Sequence, residues 1–468
     1  MTGLRPSPSA PKPGSLVIHP ELGSGEIVSL RSGNRALVRF EARPLLPRTV
    51  TLEEIMPREV APTWTSGSQY SLRRVAPVSR EVYEDRQTIE ALRMGVVPKA
   101  HAHEYTVARA AELQSLDGLL ESTQGLRLIW GEYGAGKTHI LEVFEERALA
   151  RGFLTARTVL DIGEVPPSHP RRLYRALVSR IRYPDVPDTG LDPLLQKLEG
   201  SEPHALWSER RSSRFLSPVL FARHHGDPGL GAIFTEYAQG YPFSASDLYT
   251  LDRYLGRLRW RGPSLLALSD YRTYGRLYVH LLGTIASWAR DAGYRGVVVL
   301  LDEVEELDRL NAEHTRLAKE VLFHFAAATV PRNSLGFDPE IDLHRGGHAV
   351  HRSLGLRFEE DQPLSVAMAL TPLPEVEQAL DRMVSSPEAA VRLSRIAAGA
   401  HGDLTSRVGE IYRRAYPESE FGFGERHEIE RVLRASLAAG QDDPRVLIRS
   451  MVAILDFRRL HRSIGIKV

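Results

Sequence analysis

Gly131-Glu-Tyr-Gly-Ala-Gly-Lys-Thr138 follows a short apolar run, Leu126-Arg-Leu-Ile-Trp130, and precedes a stretch in which Ile140, Leu141, Val143 and Phe144 recur at helical spacing. These eight residues satisfy G-x-x-x-x-G-K-[ST] in full, in the strand-then-helix context where that pattern cradles phosphate. Gly131, Gly134 and Gly136 let the backbone wrap so that several amides point at one anion. A helix beginning near Lys137 turns its positive dipole end toward the phosphates. The Lys137 ammonium brings charge to the β- and γ-phosphates, and the Thr138 hydroxyl is a candidate Mg²⁺ ligand. Glu132, Tyr133, Ala135 and, one residue beyond the motif, His139 complete the candidate nucleotide-binding set.

A second motif lies about 165 residues downstream, in Val297-Val-Val-Leu-Leu-Asp-Glu303. A buried strand of this kind delivers Asp302 to the carboxyl edge of a sheet, where it can hold Mg²⁺ directly or through water. Glu303 is then placed to polarise an attacking water as general base. Glu305 and Glu306 read as the acidic start of a helix. Thr371 ends the apolar strand Leu364-Ser-Val-Ala-Met-Ala-Leu370. It is a candidate γ-phosphate sensor as in additional-strand NTPases, or a turn residue before Pro372. Arg332 is a candidate trans-acting arginine finger in a homo-oligomer. No Asn-Lys-x-Asp guanine-reading motif occurs, which favours ATP over GTP.

Strands separated by helices predict a parallel α/β sheet with right-handed crossovers. The chain of 468 residues divides by pattern into a disordered tail (1–13), a small β module (14–60), a linker (61–78), a P-loop core (79–380) and a helical lid (381–468). The core carries a helical insertion over about 166–293, and Ser79 and Gly95 bound the first helix of the core. Within 14–60, the runs Leu16–His19, Gly25–Leu30, Ala36–Phe40 and Thr49–Leu52 are separated by Gly- or Pro-bearing turns. They predict an SH3- or Tudor-like barrel. Gly14-Ser-Leu-Val-Ile-His-Pro-Glu-Leu-Gly-Ser-Gly-Glu-Ile-Val28 resembles the opening of Tudor-like modules, which bind proteins and sometimes nucleic acid.

Composition narrows the chemistry further. The chain has no cysteine, which excludes disulfides, thiolate catalysis and Cys-ligated metal. Its net charge is +1, so no global field points to nucleic acid. Of 60 basic residues 54 are arginine, and the Arg-rich stretches at 171–175, 210–214 and 253–261 read either as a phosphate-binding face or, the favoured reading, as solvated helix faces paired with acids. No apolar run approaches the ~20 residues of a membrane helix, and the N-terminus has no apolar core of a signal peptide; both fit a cytoplasmic protein. His344, His348 and His351 are spaced suggestively for a metal, but Gly346 and Gly347 between them favour a polar loop. His101-Ala-His103 reads as loop as well.

Ile89-Glu-Ala-Leu-Arg-Met-Gly-Val-Val-Pro98, the Gly131–Thr138 segment, Gly296-Val-Val-Val-Leu-Leu-Asp-Glu-Val-Glu305 and Pro444-Arg-Val-Leu-Ile-Arg449 with Leu455-Asp456 resemble the P-loop ATP-binding proteins of bacteriophage-exclusion (BREX) type defence systems. The resemblance spans about residues 80 to 460. It implies an AAA+/origin-recognition-like, Mg²⁺-dependent ATPase that works with other defence proteins, a helicase or nuclease among them, on DNA or a DNA-bound complex. The alternative reading is a slow-turnover, nucleotide-gated scaffold or switch that recruits partners through the β module, which lies outside the family pattern. Gly402-Asp-Leu-Thr-Ser-Arg407 opens a lid helix from which Arg407 is a candidate nucleotide contact. Relatives of the origin-recognition type place that arginine two residues after Gly-Asp, not four.

Overall fold

The computed structural model describes residues 12–20, 22–31, 34–40, 47–57, 79–199, 215–262, 264–343, 356, 358, 361–380, 383, 387–417, 427, 429, 431–432 and 443–461. Residues 1–11 of the tail expected over 1–13, the whole linker 61–78, Arg210–Arg214 and the His344–His351 cluster therefore lie outside the described residues. The chain forms two compact units, Met1–Ala76 and Pro77–Val468.

In the first unit, β1 (Leu16–His19), β2 (Gly23–Arg31), β3 (Arg35–Phe40), β4 (Arg48–Thr51) and β5 (Met56–Pro57) form one antiparallel sheet in the order β4-β3-β2-β1-β5. Alternation along each strand puts Val17, Ile27, Ala36, Val38, Phe40 and Val50 into a small core of their own. Gly25 is fixed by a close approach: a Cβ there would meet Val38 Cγ1 at 2.8 Å and the Arg39 carbonyl at 2.9 Å. The four expected strands appear within a residue or two of their predicted bounds, and a fifth returns to pair with β1.

The second unit is built on a five-stranded sheet of β6 (Gly125–Gly131), β7 (Leu154–Val159), β8 (Val297–Asp302), β9 (Leu364–Leu370) and β10 (Ala390–Leu393), in the order β10-β6-β9-β8-β7. Every pairing in it is parallel. β8 and β9 are buried at every residue, as strands covered on both faces must be, which explains their unbroken aliphatic sequences. Val298, Leu300, Ala367 and Ala369 join the core cluster under the P-loop helix, while the alternating Val297, Val299 and Leu301 are equally buried on the other face.

The helices of this unit are α1 (Arg80–Met94), α2 (Ala110–Ser122), α3 (Lys137–Ala150), α4 (Pro170–Val178), α5 (Asp192–Glu199), α6 (Ser217–His225), α7 (Pro228–Ala238), α8 (Ala245–Arg257), α9 (Gly275–Asp291), α10 (Ala312–Thr329), α11 (Pro374–Leu380), α12 (His401–Ala415) and α13 (Pro444–Leu460). Ser79 caps α1 through the Val82 amide, and Gly95 ends it at φ +74°, both as the sequence predicts. Helices α4 to α9 all lie in the single crossover from β7 to β8, the predicted insertion. Arg171 and Arg172 on α4 sit 3.7 and 3.4 Å from Asp270, a pairing of the kind expected for the Arg-rich faces.

The range 381–468 is not wholly helical. Ala390–Leu393 is a strand that pairs with Leu128–Gly131, so the core sheet continues past residue 380. Four residues at a sheet edge, alternately exposed and buried, are too few for a period-two pattern to register. Beyond it, α12 and α13 pack against α1. Arg93 on α1 holds Asp456 on α13 with two hydrogen bonds of 2.8 and 3.0 Å, and Arg414 on α12 reaches Asp85 on α1 at 2.8 Å. The N-terminal and C-terminal segments that carry the family resemblance are thus neighbours in space.

Candidate nucleotide site

The phosphate loop lies between β6 and α3. Gly134 and Gly136 take φ of +82° and +94°, a region that side chains with a Cβ enter only at a cost. Gly131 does not; its constraint is proximity, since a Cβ there would lie 3.1 Å from those of Ala135 and Leu393. Gly136 caps α3 without a side-chain hydrogen bond to the first turn, so the dipole end of that helix carries no competing polar side chain from its cap. Buried Arg109 fastens the loop from behind, donating to the Ala135 carbonyl at 2.9 Å and to the Ser394 carbonyl just past β10 at 2.5 Å. In front, Asp443 caps α13 through the Arg445 amide at 2.8 Å, and a Cβ on Gly134 would stand 3.2 Å from Asp443 Oδ1. The start of α13 therefore abuts the loop.

Lys137 is buried, with Nζ donating to the Gly131 carbonyl at 3.0 Å and to Thr371 Oγ1 at 2.8 Å. Glu305 Oε1 lies 3.5 Å from the same nitrogen and accepts the Thr371 hydroxyl hydrogen. Because β9 is inserted between β6 and β8, Thr371 at its end falls between the loop and the acidic pair at the end of β8. Asp302 is 1% exposed, and its Oδ1 accepts from the Glu303 amide at 3.1 Å. Glu303 sits at φ +56°, a left-handed conformation uncommon for a non-glycine residue and of the kind found where a site over-determines its backbone. Burial pushes its carboxyl above the ordinary glutamate range, with Glu305 and Asp302 adding to the effect and Lys137 and Arg445 opposing it.

Three contributors were not anticipated. Glu305, an acidic helix start by its sequence, joins Thr371 and Lys137; three acids within four residues carry no signal that singles it out. Arg157, in the middle of β7, pairs with Glu142, lies 3.5 Å from Glu145 and 3.6 Å from Asp302, and donates to the Thr138 carbonyl at 3.2 Å. It ties the metal-binding carboxylate candidate to the first turn of α3. Arg157→Met leaves these buried acids short of a cation and is expected to lose about 3 kcal/mol of stability. Urea unfolding of the variant checks this, and a loss below about 1 kcal/mol would contradict it. Third, Arg445 on α13 donates to the Tyr133 hydroxyl at 2.9 Å, with its guanidinium 4.9 Å from the ring centre.

Beside the loop opens an apolar pocket. Val96, Val97, Ala135, His139, Leu404 and Ile448 contribute to its walls, so it is shared by the segment after α1, the loop, and helices α12 and α13. His139 faces it with both ring nitrogens engaged, by the Tyr105 hydroxyl at 3.2 Å and Thr106 Oγ1 at 2.8 Å. Burial, with Arg109 nearby, pushes its pKa down to about 4.

Not every expected residue converges here. Arg407 on α12 is exposed, and its guanidinium donates to the Glu104 carbonyl at 3.0 Å. An arginine that contacts the loop is Arg445, through Tyr133. Glu132 is exposed and contributes its carbonyl to the Ala135 amide turn. Arg332, in the short turn Arg332–Ser334, is exposed and 3.6 Å from Glu340. His101 and His103 lie in the loop after α1 and pair with Glu104 and Glu146 at 2.5 and 3.0 Å. Among the described residues no cluster of His, Asp and Glu would hold a metal by itself.

Residues 81–209 match a family model described as BREX system ATP-binding protein BrxC/D. The matched stretch includes the whole phosphate loop, α3 and β7. No curated protein matches the chain. Over that stretch the chain is thus similar to ATP-binding components of BREX defence systems, in agreement with the resemblance of its motifs. No helix among the described residues is long and apolar enough to cross a membrane.

Proposed function

We propose that the chain binds and hydrolyses ATP, as an AAA+-like ATPase component of a BREX-type anti-phage defence system that acts on or with DNA-bound partners. One observation carries this reading: Lys137, Thr371, Asp302 and Glu303 come together at the adjoining carboxyl ends of three parallel strands, beside a glycine loop and an apolar pocket. Ligands of open α/β sheets bind at such edges. The placement of an extra strand between the loop strand and the Asp302 strand supports the additional-strand assignment.

In this reading the loop amides and the start of α3 hold the phosphates, and the pocket around Val97 and Ile448 takes the base. Asp302 and the Thr138 hydroxyl would hold Mg²⁺. The donor set fits, because Mg²⁺ is typically held by one or two carboxylates plus substrate phosphates and not by a cage of protein ligands. Held there, the ion would supply positive charge against that developing on the phosphates. Lys137 adds its charge at the terminal phosphate, and Thr371 donates from the side. Glu303 takes the proton of the attacking water; its raised proton affinity suits it to that task. Arg157 keeps Asp302 oriented. Arg445 and Asp443 place α13 where the state of the loop is transmitted to the C-terminal helices and α1. The N-terminal sheet, in the SH3/Tudor-like reading, recruits a partner protein.

The test is steady-state ATP hydrolysis by the full chain with Mg²⁺, with and without double-stranded DNA. Turnover that rises with DNA is the expected result. Tight ATP binding with negligible turnover under both conditions would replace this reading with that of a nucleotide-gated switch.

A further inference from the structure

Glu305 has no task in the hydrolytic scheme, although it is tied into its centre. It belongs to the 3-10 turn Val304–Arg309 that follows β8. Its neighbour Glu306 turns aside to Arg309 at 3.0 Å, whereas Glu305 faces Lys137 and Thr371. The Lys137 ammonium has two hydrogen-bond acceptors, the Gly131 carbonyl at 3.0 Å and Thr371 Oγ1 at 2.8 Å, and an ion-pair partner in Glu305 Oε1 at 3.5 Å. Thr371 serves both partners at once, accepting from the lysine and donating to the carboxylate. The second oxygen, Oε2, is buried and has no hydrogen-bond partner among the described residues. The carboxylate is therefore held by Lys137 and Thr371 alone, with its side chain 13% exposed.

We propose that Glu305 sets the discrimination between nucleoside triphosphate and diphosphate: it is an internal anion on Lys137 and Thr371 that a γ-phosphate must displace and a diphosphate need not. The proposal rests on the ATP-binding reading above. A terminal phosphate that reaches Lys137 and Thr371 takes both partners of Glu305 and sets a second negative charge beside it. In a partly buried site that repulsion is poorly screened. Either the turn Val304–Arg309 gives way, or the triphosphate binds more weakly than the loop alone would allow. A β-phosphate held by the loop amides leaves the Thr371–Glu305 contact in place. Competition between two ligands of one protein site is a coupling free energy, typically worth 5–150-fold in affinity.

Calorimetric titration of ATP and of ADP, each with Mg²⁺, into the parent chain, Glu305→Gln and Glu305→Ala tests this. The amide keeps the size of the carboxylate and removes its charge; alanine removes the group altogether and guards against an effect peculiar to glutamine. Both variants are expected to bind ATP about ten-fold more tightly, with ADP affinity changed by less than about two-fold. Retained ADP binding also reports that each variant is folded. An ATP-to-ADP affinity ratio that is unchanged or lower in both variants would overturn the proposal while leaving the ATPase reading intact. A parent chain that binds neither nucleotide would overturn the ATPase reading and this proposal with it.

Discussion

Lys137→Ala is expected to lower kcat/KM for ATP by about a thousand-fold, the scale on which removing one preorganised positive group from a developing phosphate charge acts. The size of the effect follows from how the ammonium is held. It is buried at the junction of the loop, β9 and the turn after β8, with acceptors at 2.8 and 3.0 Å, so no solvent-borne cation takes its place. The substitution also strips Glu305 of its cation and leaves a carboxylate in a partly buried site. Some destabilisation should accompany the kinetic loss, and the double variant Lys137→Ala with Glu305→Gln should recover part of it. Steady-state kinetics and urea unfolding separate the two effects. Activity within ten-fold of the parent would mean that the lysine is not the phosphate ligand.

Glu303→Gln has the second large effect, and its signature differs. General-base catalysis contributes about 10² to 10⁴ in rate, so turnover should fall by that factor while ATP binding persists or tightens. The glutamine keeps the left-handed backbone at φ +56° and the same reach, and it removes a negative charge from beside the phosphates. Pre-steady-state measurement would then find ATP bound and uncleaved. Equal loss of binding and turnover would indicate that Glu303 supports the fold of the site and does not act on water.

The parts of this site that sequence made legible are those encoded within one short segment. Leu126–Thr138 specifies its own strand, turn and helix start, and Val297–Glu303 is a buried strand ending in two acids; each works through local geometry. The parts that escaped depend on what the fold brings from elsewhere. Arg157 is a polar residue inside an otherwise ordinary strand, and only the β7–β8 pairing places it near Asp302. Glu305 differs from Glu306 only in the direction its turn gives it. The pocket is assembled from segments separated by more than 300 residues, such as Val96 and Ile448, and has no local signature. Arg407 stands out by its place after Gly402-Asp403, whereas the contact of Arg445 with Tyr133 depends on the packing of α13 against the loop.

On this reading the loop binds ATP through Lys137. Calorimetric titration of ATP with Mg²⁺ into the purified full chain, beside Lys137→Ala, tests it most directly. The expected result is saturable binding at one site per chain that is lost or greatly weakened in the variant. No binding by the parent, or binding of equal strength in both proteins, would contradict it.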